Sequence, residues 1–276
     1  MRIRASVAVV TGALALTSLT APAAQADDSP SAAAARSASA ANGAKGANDV
    51  QLGDTKISNV VINGGKPVVA ATADKTIKVS FTAGDKSGIE SADAFLWHGT
   101  EANTDGFIGA VEDSAKCGKG TTPTCTLTFV IEPWWNLSKN SLGTNWKVDA
   151  TAFGNDGDFT MRDNVKSFNI LRAAKLTVNA TPEPVKKGKT LTVTGALTRI
   201  NWETEKYAGY TVQPVKLQFR KKGAKTYSTL KTVKTDKKGN LKTTVKATVD
   251  GDYRYSFAGT NTTQAVDSGA DAIDVR

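Results

Sequence analysis

The chain has 276 residues, with 35 Lys and Arg against 26 Asp and Glu, a net charge of +9, one histidine and two cysteines. A single imidazole and a single pair of thiols exclude Cys/His metal centres of the zinc-finger kind. Beyond the N-terminal segment no run approaches the ~20 consecutive apolar residues of a membrane-spanning helix, and the length suits two domains of ordinary size.

Residues 1–26 begin with Arg2 and Arg4, pass through the alanine-diluted apolar run VAVVTGALALTSL and end on Ala24, Gln25 and Ala26. That layout is a secretory signal peptide with an A-x-A cleavage site, so the mature chain is expected to start at Asp27 and to be secreted, extracellular and without a membrane span. No cysteine near the cleavage site offers a lipid anchor, and no apolar tail follows the last domain. Residues 27–55 are rich in Ala and Ser and nearly free of large apolar side chains. They cannot bury enough surface to offset the entropy of ordering, and are expected to form a disordered leader.

From residue 56 the apolar pattern alternates with the period of two that a half-buried strand requires. Strands are predicted near 56–63, 76–83, 92–98, 107–111, 125–132, 145–153 and 165–171. Ile77, Val79 and Phe81 share one face of TIKVSFTA, as do Leu127, Phe129 and Ile131 of a later strand and Trp146, Val148, Ala150 and Ala152 of the next. Helical periodicity is missing apart from a single turn near WWNLSKNSLG. Adjacent tryptophans in such a crossover usually divide, one packing inward and one covering the rim, and that division is expected of Trp134 and Trp135. Cys117 and Cys125 flank a Gly-, Thr- and Pro-bearing loop in a chain read as exported, so a local disulfide pinning a hairpin tip is expected. By chain entropy it contributes about 2 to 3 kcal/mol at best.

The short join LRAAK, 171–175, leads to a second set of strands and is expected to hold the two units close. Leu191 and Val193, then Val215, Leu217 and Phe219, then Leu241 and Val245, then Tyr253, Tyr255 and Phe257 occupy alternating sites. TDKKGN and VDGDY supply the turns. One pattern occurs twice: TIKVSFTA followed by ADAFLWHG, and TLTVTGAL followed by PVKLQFRKKG. Short, turn-punctuated strands in two such sets predict an all-β protein of two tandem immunoglobulin-like β-sandwich domains, 56–172 with the local disulfide and 173–276 with the basic charge. Three segments, TPEPVKKGKTLTVTGALTR, PVKLQFRKKGAKTY and DGDYRYSFAGT, resemble the C-terminal immunoglobulin-like module of secreted actinobacterial proteins of unassigned function. The resemblance covers nearly all of 174–276, and 56–171 is similar to the sandwich that often precedes that module. It implies fold and export and supplies no catalytic residues.

Catalytic chemistry is sparsely represented. A histidine base would have to be His98, at a strand end in FLWHGT, and no G-x-S-x-G elbow accompanies it. Ser228, Thr229, Leu230 and Lys231 spell the S-x-x-K of penicillin-binding proteins, but the setting is strand-like, and an offset of three residues is expected to place Ser228 and Lys231 on opposite faces. The carboxylates are scattered through turns rather than flanking a cleft.

Two loops are expected to share one pole of the first sandwich, bringing Asp85 towards Asn155, Asp156, Asp158 and Asp163. Hard oxygens gathered in this way suit calcium, although Asp and Asn are also ordinary turn formers. The charge is more lopsided: residues 174–276 hold 19 Lys and Arg against 9 acids, and residues 50–173 hold 12 against 14. With apolar neighbours inward, Lys216 and Arg220 and then Lys242 and Lys246 face out, and with Lys231 and Lys234 they are expected to cover one sheet face. Such a face attracts polyanions through long-range, salt-screened forces, or else serves solubility and edge protection. The sequence therefore reads as an exported, non-enzymatic binding or structural protein. Its expected partners are anionic cell-wall polymers or extracellular proteins, and no motif specific for nucleic acid is present. The alternatives are a calcium-binding extracellular sandwich and a small secreted hydrolase.

Overall fold

The computed structural model describes residues 49–276; the expected signal peptide, 1–26, and residues 27–48 of the expected leader lie outside the described residues. The first domain packs two sheets. One runs β2 (Lys56–Ile62), β4 (Lys75–Gly84), β8 (Thr124–Ile131), β7 (Lys116–Cys117). The other runs β1 (Val50–Leu52), β10 (Phe159–Phe168), β9 (Trp146–Gly154), β5 (Ile89–Thr100), β6 (Asn103–Ile108). A short β3 (Val68–Ala70) lies parallel to β11 (Ile170–Arg172). The orders β2-β4-β8-β7 and β10-β9-β5-β6 are those of strands A-B-E-D and G-F-C-C′ in an immunoglobulin-like sandwich.

The predicted alternation is the cause of this packing. Ile77, Val79 and Phe81 of β4 lie beside Phe129, Leu127 and Cys125 of β8 in register, and all six are at most 2% exposed. Trp146, Val148 and Ala150 close the core from the facing sheet. Burial of each large side chain here stabilises by about 1.5 to 3 kcal/mol. An α-helical turn, α1 (Pro133–Asn136), follows β8 as expected, and 3-10 turns form at Asn63–Gly65 and Asn140–Gly143.

The second domain repeats the plan. β12 (Ala174–Leu176) and β13 (Asn179–Thr181) pair with one edge of β14 (Thr190–Asn201), while β15 (Lys206–Gly209) and β18 (Asn240–Lys246) pair with its other edge. The facing sheet runs β17 (Ser228–Lys234), β16 (Pro214–Lys221), β19 (Gly251–Phe257), β20 (Val266–Asp267), with β21 (Asp271–Ile273) also on β19. Leu191, Val193, Val215, Leu217, Leu241, Tyr253, Tyr255 and Phe257 form its core. Tyr255 is fully buried because its hydroxyl donates to the Val193 carbonyl at 3.0 Å, which removes the cost of a buried, unpaired OH.

The join is packed as well as short. The Arg172 amide donates to Thr262 O, the Gln264 amide donates to Arg172 O, and Arg172 Nε donates to Ile200 O at 2.6 Å. Burial, then the neighbouring Arg199, pushes the Arg172 guanidinium down to about 10. Ile200 and Trp202, both second-domain residues, are buried in the core cluster of the first domain, where Trp202 is 5% exposed.

Three expectations are corrected. The leader expected to run through residue 55 stops earlier: Val50–Leu52 forms β1 on β10, where Val50 packs with Phe159 and Met161, and Thr55 is fully buried. A three-residue strand carries too little alternation to stand out from a polar leader. The strand predicted from 165 begins at Phe159, because a register shift between Arg162 and Lys166 breaks its periodicity. Trp134 and Trp135 do not divide between core and rim: they are 62% and 68% exposed, with ring centroids 5.8 Å apart.

Candidate functional site

The six predicted basic residues do not share one face. Lys216 and Arg220 lie outward on β16, as the alternation requires, and Lys234 pairs with outward Pro214 on the neighbouring strand. Lys242 and Lys246 also face solvent, but β18 belongs to the opposite sheet, paired with β14. The TDKKGN connection crosses between sheets instead of closing a hairpin within one, a distinction that alternation cannot make.

Lys231 lies at the side of the sandwich, between the two edge strands. A slot of about 520 Å³ there is lined by Phe219, Leu230, Val245 and Tyr253, and Lys231 Nζ reaches across to the Thr244 carbonyl at 2.8 Å. Leu230 is the extra residue of a bulge, so Lys231 pairs with Leu217 and Ser228 with Phe219. Ser228 and Lys231 therefore share a face by register, contrary to expectation. Each nevertheless bonds a different backbone carbonyl, Phe219 O and Thr244 O.

Three of the four arginines of this domain hold a carboxylate, Arg199 instead bonding Thr263 Oγ1 at 2.9 Å and lying over the Tyr210 ring, and most of its lysines hold none. Arg220 holds Asp252 at 2.7 Å, Arg254 holds Asp267 at 2.8 Å and Arg276 holds Asp274 at 2.9 Å. The Arg220 and Arg254 guanidinium groups both lie over the Tyr227 ring, 4.7 and 4.0 Å from its centroid. Among the described residues Lys222, at 3.7 Å from Asp250, is the one lysine after residue 173 with an ion pair.

The acidic pole of the first domain is real in part. Asp85, Asp158 and the unpredicted Asp54 bring carboxylate oxygens within 4.8 Å of one another. Asp85, 4% exposed, accepts from Thr55 Oγ1 at 2.6 Å and from the Ser87 amide at 2.8 Å and hydroxyl at 2.5 Å. Burial pushes its pKa up, but these bonds together with Lys86 outweigh it and hold the carboxyl below its ordinary value.

Asp158 accepts from the Asp54 amide at 2.9 Å, with its carboxylate in the space that a side chain at Gly53 would fill. Asp156 Oδ1 accepts from the Asp158 amide, and Asn155 Nδ2 donates to Ser87 O at 2.8 Å. Lys86 caps Asp54 at 2.7 Å. Asp163 is not part of this pole: it lies within β10, four residues past Phe159 and about 13 Å along the strand from the turn. Asp54 was overlooked because it falls in the stretch read as leader; the one signal for it was the Gly53-Asp54 turn next to alternating Val50 and Leu52.

His98 Nδ1 lies 2.5 Å from Asp105 Oδ1, with its ring 5.7 Å from that of Trp146. The His98 hydrogen bond is the main cause holding the Asp105 carboxyl low. Asp105 is the one side-chain partner of His98 among the described residues, so the pair lacks the hydroxyl or thiol that nucleophilic catalysis needs.

These two domains are immunoglobulin-like β-sandwiches with divergent surfaces. No family model matches the chain, and no curated protein does. Among solved structures it is similar to the D00-D0 domain of intimin, at 14% identity over 79% of this chain and 99% of that one, with a TM-score of 0.27. It is also similar to the full ectodomain of mouse nectin-like molecule 4, at 12% identity over 79% and 65%, with a TM-score of 0.25. Against dimeric latent PorU from Porphyromonas gingivalis the values are 14% identity and a TM-score of 0.27, the match covering 80% of this chain and 20% of that one.

Proposed function

We propose that this is an exported, non-enzymatic binding protein that associates with an anionic cell-envelope polymer through its basic second domain. The observation that carries the reading is charge without compensation. Residues 174–276 hold 19 Lys and Arg against 9 acids, and four of those acids are taken by Arg220, Lys222, Arg254 and Arg276. The remaining lysines face solvent, where they raise the local concentration of a polyanion. The signal-like residues 1–26 and the Cys117–Cys125 disulfide support an oxidising, extracellular setting.

The test is sedimentation of the protein with purified cell wall, before and after chemical removal of the anionic polymer, across a salt series. Binding is expected to disappear with the polymer and to fall steeply by about 0.5 M salt, where the Debye length is ~4 Å. Binding that survives both treatments points to an extracellular protein or a neutral glycan instead.

Calcium at the acidic pole is the second reading. It is favoured by Asp54 Oδ1, a buried carboxylate oxygen with no hydrogen-bond donor among the described residues, beside Asp85 and Asp158. An unfolding temperature unmoved by millimolar calcium removes it.

A further inference from the structure

Two turns at the far end of the second domain are built alike. Lys186-Lys187-Gly188-Lys189 closes with the Lys189 amide donating to Lys186 O at 3.0 Å, and Lys221-Lys222-Gly223-Ala224 closes with the Ala224 amide donating to Lys221 O at 2.9 Å. The third residue of each is a glycine at positive φ, 79° at Gly188 and 81° at Gly223, the conformation a type II turn requires there. Each turn thus projects two successive lysines, with Lys189 and Lys225 following.

The turns lie side by side across one connection. The Gly188 amide donates to Ala247 O at 2.7 Å and the Ala247 amide to Lys189 O at 2.9 Å, while the Lys222 amide donates to Asp250 O at 3.0 Å. The twelve residues of β14 carry this end about 36 Å from the join. All six lysines are exposed, and only Lys222 reaches a carboxylate among the described residues. Asp252 and Asp274 are held by arginines, and Glu183, whose carboxyl is raised by burial, then by Asp271 and Asp274, marks an acidic border on the β21 side.

We propose that this lysine pole, rather than a sheet face, binds a linear phosphate-containing polyanion, with one anionic group at each turn. The inference rests on the reading of the second domain as anion-binding. A lysine ammonium binds phosphate as a point charge that demands no planar partner, whereas the arginine fork fits carboxylate and phosphate alike. The pole holds lysines, and the nearby arginines already grip carboxylates. A single phosphate uses one turn. A chain of them uses both, the second contact being intramolecular once the first has formed.

The test uses the full chain, with orthophosphate, short and long inorganic polyphosphate, and phosphatidylglycerol vesicles as probes. One variant carries Lys186→Gln, Lys187→Gln, Lys221→Gln and Lys222→Gln. A charge-matched control carries Lys206→Gln, Lys216→Gln, Lys234→Gln and Lys242→Gln. All eight positions are exposed, so both variants are expected to keep the parent unfolding temperature.

The pole variant should bind long polyphosphate about 100-fold more weakly or worse, and the control only several-fold. The parent should bind long chains more tightly than orthophosphate. Equal losses in the two variants overturn the pole while leaving the anion-binding reading intact. A parent that binds no polyanion overturns both, and tighter binding to vesicles than to polyphosphate overturns the polymer in favour of a membrane.

Discussion

The first sandwich turns its acids into its own structure: Asp85 and Asp158 accept hydrogen bonds from Thr55, Ser87 and the Asp54 amide, tying the first strand to the pole loops. The second sandwich, on the same strand plan, leaves its lysines to water. Polar groups of the first kind stabilise a fold; those of the second contribute little to it and remain available for a partner. Substitution should separate the two kinds sharply.

The largest effect is expected at the join between them. Trp202→Ala removes a large side chain buried in the first domain's core and should cost about 3 to 5 kcal/mol. In calorimetry the transition of the first domain should fall although the substitution lies in the second. A fall confined to the second domain would break the comparison there. Asp85→Ala should cost about 2 to 3 kcal/mol, as for hydrogen bonds to a charged group.

That cost should also depend on pH. The Asp85 carboxyl is held below its ordinary value, so its stabilisation is complete above the unfolded pKa of about 3.9 and is lost as pH falls through the depressed folded value. Unfolding midpoints of the parent and Asp85→Asn should therefore converge in strong acid and differ at neutral pH. Loss of the Cys117–Cys125 bridge, by paired substitution to Ser, should cost about 2 kcal/mol, measured by denaturant unfolding. Lys216→Gln or Lys242→Gln should change stability by no more than about 0.5 kcal/mol. A larger change would show that these lysines belong to the fold after all.

Much of this was legible in the sequence because a period of two marks inward residues without reference to their partners. Ile77, Val79 and Phe81, or Leu191 and Val193, declare a buried face wherever the neighbouring strand lies. Alternation does not declare which sheet a strand joins, so Lys216 and Lys242 seemed to share a face that lies on opposite sides of the sandwich. Loop pairing was read correctly for Asp85 with Asn155, Asp156 and Asp158. It failed for Asp163, because the bulged β10 hides its own beginning. Asp54 and the β1 strand were hidden by brevity. The matched K-K-G turns were visible as letters, but their adjacency depends on hydrogen bonds through Ala247 and Asp250 that no local pattern records.

The position of Trp202 has a practical consequence for anyone dividing the molecule. The covalent boundary between the repeats falls near Arg172, but Ile200 and Trp202, some thirty residues later, reach back across it to complete the first core. A fragment ending at the join would expose the apolar floor beneath the missing indole, and its complement would carry a bare tryptophan into solution. Neither piece would report faithfully on the half from which it came, because the two units share a core across their covalent join.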